Sequence, residues 1–287
     1  MANNINFMIE KSGMRVVCNE VKLKNPLIPP HSHTLAEFIF VLSGAGTYHV
    51  DGRVYTIKKF DLIYTRPGKH HYLMIDESEP YFRINIHYDT SALSEELIRS
   101  IPKTVDVLSF EDNDTVKNIF SNMSYYYDNL EADARDQLFE ALIVQMICSF
   151  AIAATGNVAV QTASTNPLIE KALRYIKEHL YEIESVDEIC REIYVTKSHL
   201  HHLFMENLRI TPKRYIKEKR LIRARRRILD GEKPTTVFRD CGFGDYASFY
   251  RNYKAYYGYA PSSEGDPEAM GAKDNYTNEK EQYLAYF

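Results

Sequence analysis

Two hydrophobic rhythms divide the chain. Between residues 13 and 87, apolar positions come in short runs, several of them alternating, which is the period of β-strands. Residues 14–18 form one such run. Residues 37–42 (EFIFVL) are apolar on both faces, as in a buried strand, and a turn at 43–46 follows. Residues 47–50 and 54–57 flank Asp51-Gly52, a tight hairpin signal. A further run at 62–64 precedes Pro67-Gly68. In 81–88, Phe82, Ile84 and Ile86 fall on one side and Arg83, Asn85 and His87 on the other. Short strands at this spacing predict a sandwich or barrel.

After residue 93 the period becomes helical. Val116, Ile119, Phe120, Met123 and Tyr127 recur along 115–130. Residues 137–154 are more apolar, with Leu138, Phe139, Leu142, Ile143, Met146, Ile147, Phe150 and Ile152. Such a helix has to be covered, either by the barrel or by a second copy of itself, and the pattern leaves both open. Tyr125-Tyr126-Tyr127 cannot share one helix face and is assigned no chemistry. Residues 155–166 are small and polar, as in a linker. A helix over 167–182 follows, with Ile169, Leu173, Ile176 and Leu180 as its apolar stripe.

A paired pattern comes next. A short helix over 186–193 and a turn at 194–195 lead to Thr196, an N-cap candidate. The helix at 197–207 turns Leu200, Leu203 and Phe204 inward and Ser198, His201 and His202 outward. A basic helix spans 212–229, with Pro212 in its first turn. A second short helix over 234–243 ends in a Gly turn. Asp245 then caps a helix over 246–257, with Phe249 and Tyr253 inward and Tyr246, Ala247, Tyr250 and Arg251 on or near the outer face. One face held and one free is the arrangement that enters a major groove. The fold class expected is α+β in two domains: an N-terminal β-barrel plus helices (1–92 and 93–154), and an all-α tandem helix-turn-helix (167–261). A linker (155–166) separates them, and a disordered tail (262–287) follows.

Composition narrows the function. A chain of 287 residues can form two cores. No apolar run is expected to approach the ~20 residues that cross a membrane, and no signal peptide is evident. The four cysteines are scattered, without a CxxC pair, pointing to reduced thiols in the cytoplasm. Residues 166–261 carry 19 Lys and Arg against 13 Asp and Glu, a net of +6, while the whole chain carries −4. A basic module on an acidic chain points to a polyanion partner for that module. Taken alone, the cluster at 223–227 reads equally well as a solvated helix face.

The 210–216 run (ITPKRYI), Arg220-Leu221 with Ala224, Ile228-Leu229, Gly242-Phe243-Gly244-Asp245, Ser248-Phe249 and Gly258-Tyr259-Ala260-Pro261 closely resemble the signature of the AraC/XylS transcription regulators. Three features depart from it. Arg209 stands where the family usually has Gly, Cys190 and Cys241 take small-residue positions, and Ser262-Ser263 replace Tyr-Arg. The resemblance implies a regulator that binds double-stranded DNA and acts on RNA polymerase, and a homodimer through the helical segment. Ser198, His201 and His202 would read one stretch of DNA, and Tyr246, Ala247, Tyr250 and Arg251 the next. Successive major grooves on one face repeat every ~34 Å. Arg251 is the candidate for a bidentate guanine contact, and Lys213, Arg214, Arg239 and Lys254 are phosphate candidates.

His31-x-His33-x3-Glu37-x6-Gly44 and Asp61-x5-Pro67-Gly68-x2-His71 resemble the two cupin motifs, with Phe60 in place of the usual Gly before Asp61. In metal-binding cupins such His, Glu and late His residues converge on one ion. His31, His33, Glu37 and His71 would suit a divalent transition metal, although a regulator of this kind requires no cofactor. The other occupant is a small organic effector, with a carbohydrate favoured, touching Arg15, His31, His33, Glu37, Tyr48, His71, Arg83 and His87. Two alternatives stay open. One is a cupin metalloenzyme fused to a DNA-binding module, and the other an architectural DNA-binding protein whose barrel is filled.

Overall fold

The computed structural model describes residues 7–11, 13–20, 27–156 and 163–265. The chain divides into two compact units, Met1–Ser164 and Thr165–Phe287.

The first unit is strand-rich. Its strands are β1 (Phe7–Lys11), β2 (Met14–Glu20), β3 (Leu27–His31), β4 (Ala36–Ser43), β5 (Gly46–Val50), β6 (Arg53–Ile57), β7 (Asp61–Thr65), β8 (His71–Ile75), β9 (Phe82–Tyr88) and β10 (Val107–Ser109). One antiparallel sheet runs β1-β2-β9-β4-β7-β10, and in the other β6-β5-β8-β3 are neighbours. Asp51 (φ 41°) and Gly52 (φ 79°) both take left-handed backbone in the β5–β6 turn, as a two-residue primed hairpin requires.

Alternation gives the larger sheet two unlike faces. Phe38, Phe40, Leu62, Tyr64, Ile84 and Ile86 form a core with the helices α2 (Asp114–Asn129) and α3 (Ala132–Thr155). Phe40 stacks on Phe120 at 3.9 Å between ring centres, and Tyr64 meets Phe150 at 5.7 Å. The sheet thus covers the α3 face that carries Phe139, Ile143, Met146, Ile147 and Phe150. Contrary to expectation, α3 is long and apolar enough to cross a membrane by length and composition. Here that apolarity serves the core.

Four of these strands, β1, β3, β8 and β10, were not expected from the pattern. β1 and β10 are short edge strands, and β3 contains Pro29-Pro30. β10 pairs with β7 although it lies in the stretch expected to be helical. Its three residues are too few to display a period. Phe60 adopts φ 68°, the conformation for which glycine is favoured. Its amide donates to Val41 O at 2.8 Å, its carbonyl accepts from Phe110 N–H at 2.9 Å, and its ring lies near Phe40. These neighbours hold Phe60 in that backbone conformation.

Among the described residues, the second unit is built from helices: α4 (Pro167–Glu178), α5 (Val186–Ile193), α6 (Lys197–Leu208), α7 (Pro212–Leu229), α8 (Pro234–Asp240) and α9 (Tyr246–Tyr257). α1 (Glu95–Ser100) completes the helices of the first unit. α4 ends four residues earlier than expected. N-caps recur where the sequence offers an oxygen: Asn166, Ser185, Thr196, Thr211 and Asp245 each accept from an early helix N–H. Ser185 and Glu188 complete a capping box. Two cores result. Ile169, Ile176, Ile189, Leu200, Leu203 and Phe204 form the first, and Val237, Phe238, Phe249, Tyr253 and Tyr257 the second. α7 serves both, through Tyr215 and Ile216 in one and Leu221 and Ala224 in the other.

Arg209 ends α6 at φ 55°, so the turn keeps its left-handed form without glycine. Cys190 and Cys241 are buried in the two cores. Within the expected linker, Thr155 ends α3 and Asn166 caps α4, while residues 157–162 lie outside the described residues. The expected tail is ordered at its start. The Glu264 carboxylate is fully buried, accepts from Arg225 Nε at 2.9 Å and from Tyr259 Oη at 3.2 Å, and bonds the Tyr253 hydroxyl. An acidic residue after a proline gave no pattern by which to foresee this. Residues 266–287, and with them the apolar 283–287 segment, lie outside the described residues.

Candidate functional site

The inner face of the larger sheet is polar because residues two apart share a face. Register then gathers the chemistry: Glu37 lies opposite His87, Arg15 opposite His87, and His31 opposite His71. His31, His33, Glu37 and His71 bring their ligand atoms within 4.8 Å of one another. Glu37 is the hub. Its Oε2 lies 2.8 Å from His71 Nε2 and 3.5 Å from His33 Nε2. Its Oε1 accepts from Asn85 Nδ2 at 2.9 Å and lies 3.5 Å from His87 Nε2. His33, Glu37, His71 and His87 are all buried.

Backbone carbonyls set the tautomers. Nδ1 of His31 donates to Pro29 O at 2.8 Å, that of His33 to Leu35 O at 2.8 Å, and that of His71 to Lys69 O at 3.0 Å. A carbonyl only accepts, so each Nδ1 carries the proton and each neutral ring offers an Nε2 lone pair. Orienting imidazoles through the far nitrogen is how proteins prepare metal ligands. The His71 Nε2 and Glu37 Oε2 lone pairs meet at 2.8 Å, which calls for a positive charge between them, a second proton on His71 or a metal. Three imidazoles and one carboxylate fit a divalent transition metal.

Electrostatics agree with this picture. Burial pushes the Glu37 carboxyl up, but the surrounding His71, His33 and His87 outweigh it and hold Glu37 well below the usual carboxylate range. Burial, reinforced by His71, drives the His31 imidazole well below its usual value. Burial does the same to His87, against the pull of Glu37.

The expected effector contacts do not all join this cluster. Arg15 and His87 are across-strand partners beside it. Tyr48 is fully buried, its hydroxyl 2.6 Å from Thr65 Oγ1 and its ring 6.2 Å from His71. It is a bonded wall residue. Arg83 is buried on the same face but four residues along β9 from His87, about 13 Å by strand rise. Asn85 was not among the expected contacts, although its place between Arg83 and His87 in the alternation marks it.

The residues expected to face DNA are distributed differently. Ser198, His201 and His202 are exposed on α6, and His202 Nε2 lies 3.0 Å from Glu206 Oε1. On α9, Ala247, Arg251 and Lys254 are exposed. Tyr250 is half-buried, and the Tyr246 ring packs edge-on against Phe238 at 5.6 Å. Lys213 and Arg239 are exposed. Arg214 is engaged by Glu218, with Nε 2.7 Å from its Oε1.

Two family models match the chain in this order, a cupin domain over residues 23–85 and a helix-turn-helix domain over residues 189–264. This pairing of a cupin domain with a helix-turn-helix domain supports an AraC-family transcription regulator. Among its relatives is the HTH-type transcriptional activator RhaS of Enterobacter sp. (strain 638), 22% identical over 264 residues, or 87% of this chain and 92% of that protein. The probable transcriptional regulator LumQ of Photobacterium leiognathi is 34% identical over 89 residues, 31% of this chain and 36% of that protein. Among solved structures, ToxT of Vibrio cholerae O395 aligns over 88% of this chain and 97% of that one, at 16% identity and a TM-score of 0.37. The matches support a DNA-binding regulator that responds to small molecules, with the helix-turn-helix match in its second unit and the cupin match in its first.

Proposed function

We propose that this regulator is a cytoplasmic activator that reads two successive major grooves with α6 and α9, and that its barrel senses a polar small molecule at the Glu37 cluster. The observation that carries the sensing role is the cluster itself. A buried carboxylate, four imidazoles and an amide converge on the interior of the fold, where apolar side chains would stabilise it more simply. Donors and acceptors so arranged suit the hydroxyls of a carbohydrate. Occupancy can switch the protein only by favouring one of two arrangements. RNA polymerase is the partner an activator acts on. A homodimer is supported by the outer side of α3, where Leu138, Ala141, Gln145, Cys148 and Ile152 recur at intervals of three and four, with Ile152 73% exposed.

The tautomers favour a second reading of the input, a resident transition metal held by His31, His33, Glu37 and His71. When bound, such an ion supplies positive charge at Glu37 and open positions for an oxygen ligand. The chain's own residues orient the rings and exclude water. A metalloenzyme would need this ion as well, but the relatives named above are regulators.

The test is binding by the full chain to DNA selected from a random pool. We expect the selected site to be bound at least ~10³-fold more tightly than random DNA. A small effector should change that affinity by about 5-fold or more. The protein is assayed with sugars, with chelator, and with Zn, Mn, Ni or Fe. Equal affinity for selected and random DNA sinks the two-groove reading. A metal response without a sugar response replaces the carbohydrate by the ion.

A further inference from the structure

Arg220 lies on α7 between Ile216, a member of the first helical core, and Leu221 and Ala224, members of the second. Its guanidinium donates to three backbone carbonyls. Nε reaches Leu180 O at 2.8 Å and Nη2 reaches Ile183 O at 2.6 Å, both in the loop between α4 and α5. Nη1 reaches Gly242 O at 2.8 Å, in the turn between α8 and α9. One side chain therefore bonds both helix-turn-helix halves at once.

Gly242 brings the halves still closer. It has φ 78°, and a Cβ there would lie 2.7 Å from Tyr181 O and 2.8 Å from Arg220 Cζ. Only glycine allows that approach. Beside the contact, a groove of about 300 Å³ opens between the halves, lined in part by Lys213, Lys217, Ser248 and Asn252. Apart from α7 itself, Arg220 is a direct bridge across this groove. A planar guanidinium with donors in a fixed fork can hold three carbonyls in set directions, which an ammonium on a flexible stem cannot.

We propose that Arg220 is the positioning residue that sets the phase between the recognition helices α6 and α9, and so enforces one spacing between the two DNA motifs the protein reads. This rests on the reading that both helices enter DNA. A spacing change of one base pair moves one motif by about 3.4 Å and turns it by about 34° relative to the other. A rigid pair of readers cannot follow such a change without losing contacts.

The experiment uses the full chain and DNA selected from a random pool, followed by binding to the selected site with one base pair inserted or removed between motifs. The wild type is expected to select two motifs at one separation and to lose tenfold or more in affinity on a one-base-pair change. Arg220→Lys, which keeps the charge but not the fork, is expected to select the same motifs over several separations and to lose threefold or less. Arg220→Ala should behave alike. Affinity for a single motif should change by less than twofold in both variants, a readout that a general loss of folding would move. Selection of one motif by the wild type would show that the two-groove reading itself fails. Two motifs with the full spacing penalty retained in Arg220→Lys would overturn the assignment of Arg220. So would a failure of both variants to fold by thermal melting, because Arg220 would then be needed for the cores rather than for their phase.

Discussion

In the barrel, Glu37, His71, His87 and Arg83 lie inside, while Phe38, Phe40 and Ile86 face outward onto α2 and α3. In the DNA-binding unit, Leu200, Phe204, Phe249 and Tyr253 fill two cores, while Ser198, His201 and Arg251 face water. The same residue types meet opposite conditions. A buried polar set has to supply its own partners, so each member is tied to folding. An exposed set is solvated in any case, so its members can change for recognition at little cost to stability. That division suits a sensor joined to a reader. Occupancy of the first set alters the free energy of its unit, and the second set can be tuned to a DNA sequence independently.

The largest effect expected comes from the Arg225–Glu264 pair, in which both side chains are buried. Glu264→Ala leaves Arg225 without its carboxylate in the core and releases the Tyr253 hydroxyl on α9. Breaking a buried pair costs about 3–5 kcal/mol. Urea unfolding should show the helical unit weakened by that order, with the barrel unchanged. A loss below ~1 kcal/mol, the range of an exposed pair, would mean that the Glu264 segment is not docked.

Acid should next separate the two units. His31 and His87 bind protons less readily when folded than when unfolded. Their contribution to stability is present above the ordinary histidine value of about 6.5 and is lost as pH falls below it, by up to about 1.4 kcal/mol per pH unit for each group. Glu37, also depressed, adds a loss that begins only below the usual carboxylate value of 4.5. Metal-free protein moved from pH 7 to 5.5 should lose about 1–3 kcal/mol in the barrel transition and less in the helical one. Equal losses in both transitions would remove the contrast drawn above.

The smallest effects on folding belong to the DNA face. Arg251→Ala should lower discrimination between selected and mismatched sites by about 1–3 kcal/mol, with a stability change within about 0.5 kcal/mol. Lys213→Ala should weaken binding to all sequences alike and reduce the slope of log affinity against log salt by about 1. A uniform loss for Arg251→Ala, matching that of Lys213→Ala, would reassign Arg251 to the backbone.

These contrasts also explain what could be read from the chain. Periodicity exposed the His-x-His, Glu37 and β9 residues, because a period of two sorts side chains by face before any fold is known. The caps at Thr196 and Asp245 and the hairpin at Asp51-Gly52 were local signals and so were visible. Arg220 was visible as part of the signature, but its bridging role was not, since its carbonyl partners lie up to 40 residues away in the chain. Glu264 was hidden for the same reason, 39 residues from Arg225. Tyr48 was visible as a candidate effector contact, but not the Thr65 hydroxyl that occupies it. α3 showed how apolar it was without showing what covered it, because a helix apolar all round has no direction.

Cys18, Cys190 and Cys241 are buried, whereas Cys148 is partly exposed, and all four are free thiols. Burial pushes the Cys18 thiol up to about 12 and raises Cys190 and Cys241 as well. The thiolate is the reactive species, so those three are slow towards alkylating reagents in the native protein. A maleimide dye would then mark one position, on the outer side of α3 and one turn from Ile152. Its rate of attachment, and afterwards its colour, would report whether that side of the helix stands open or has found a companion.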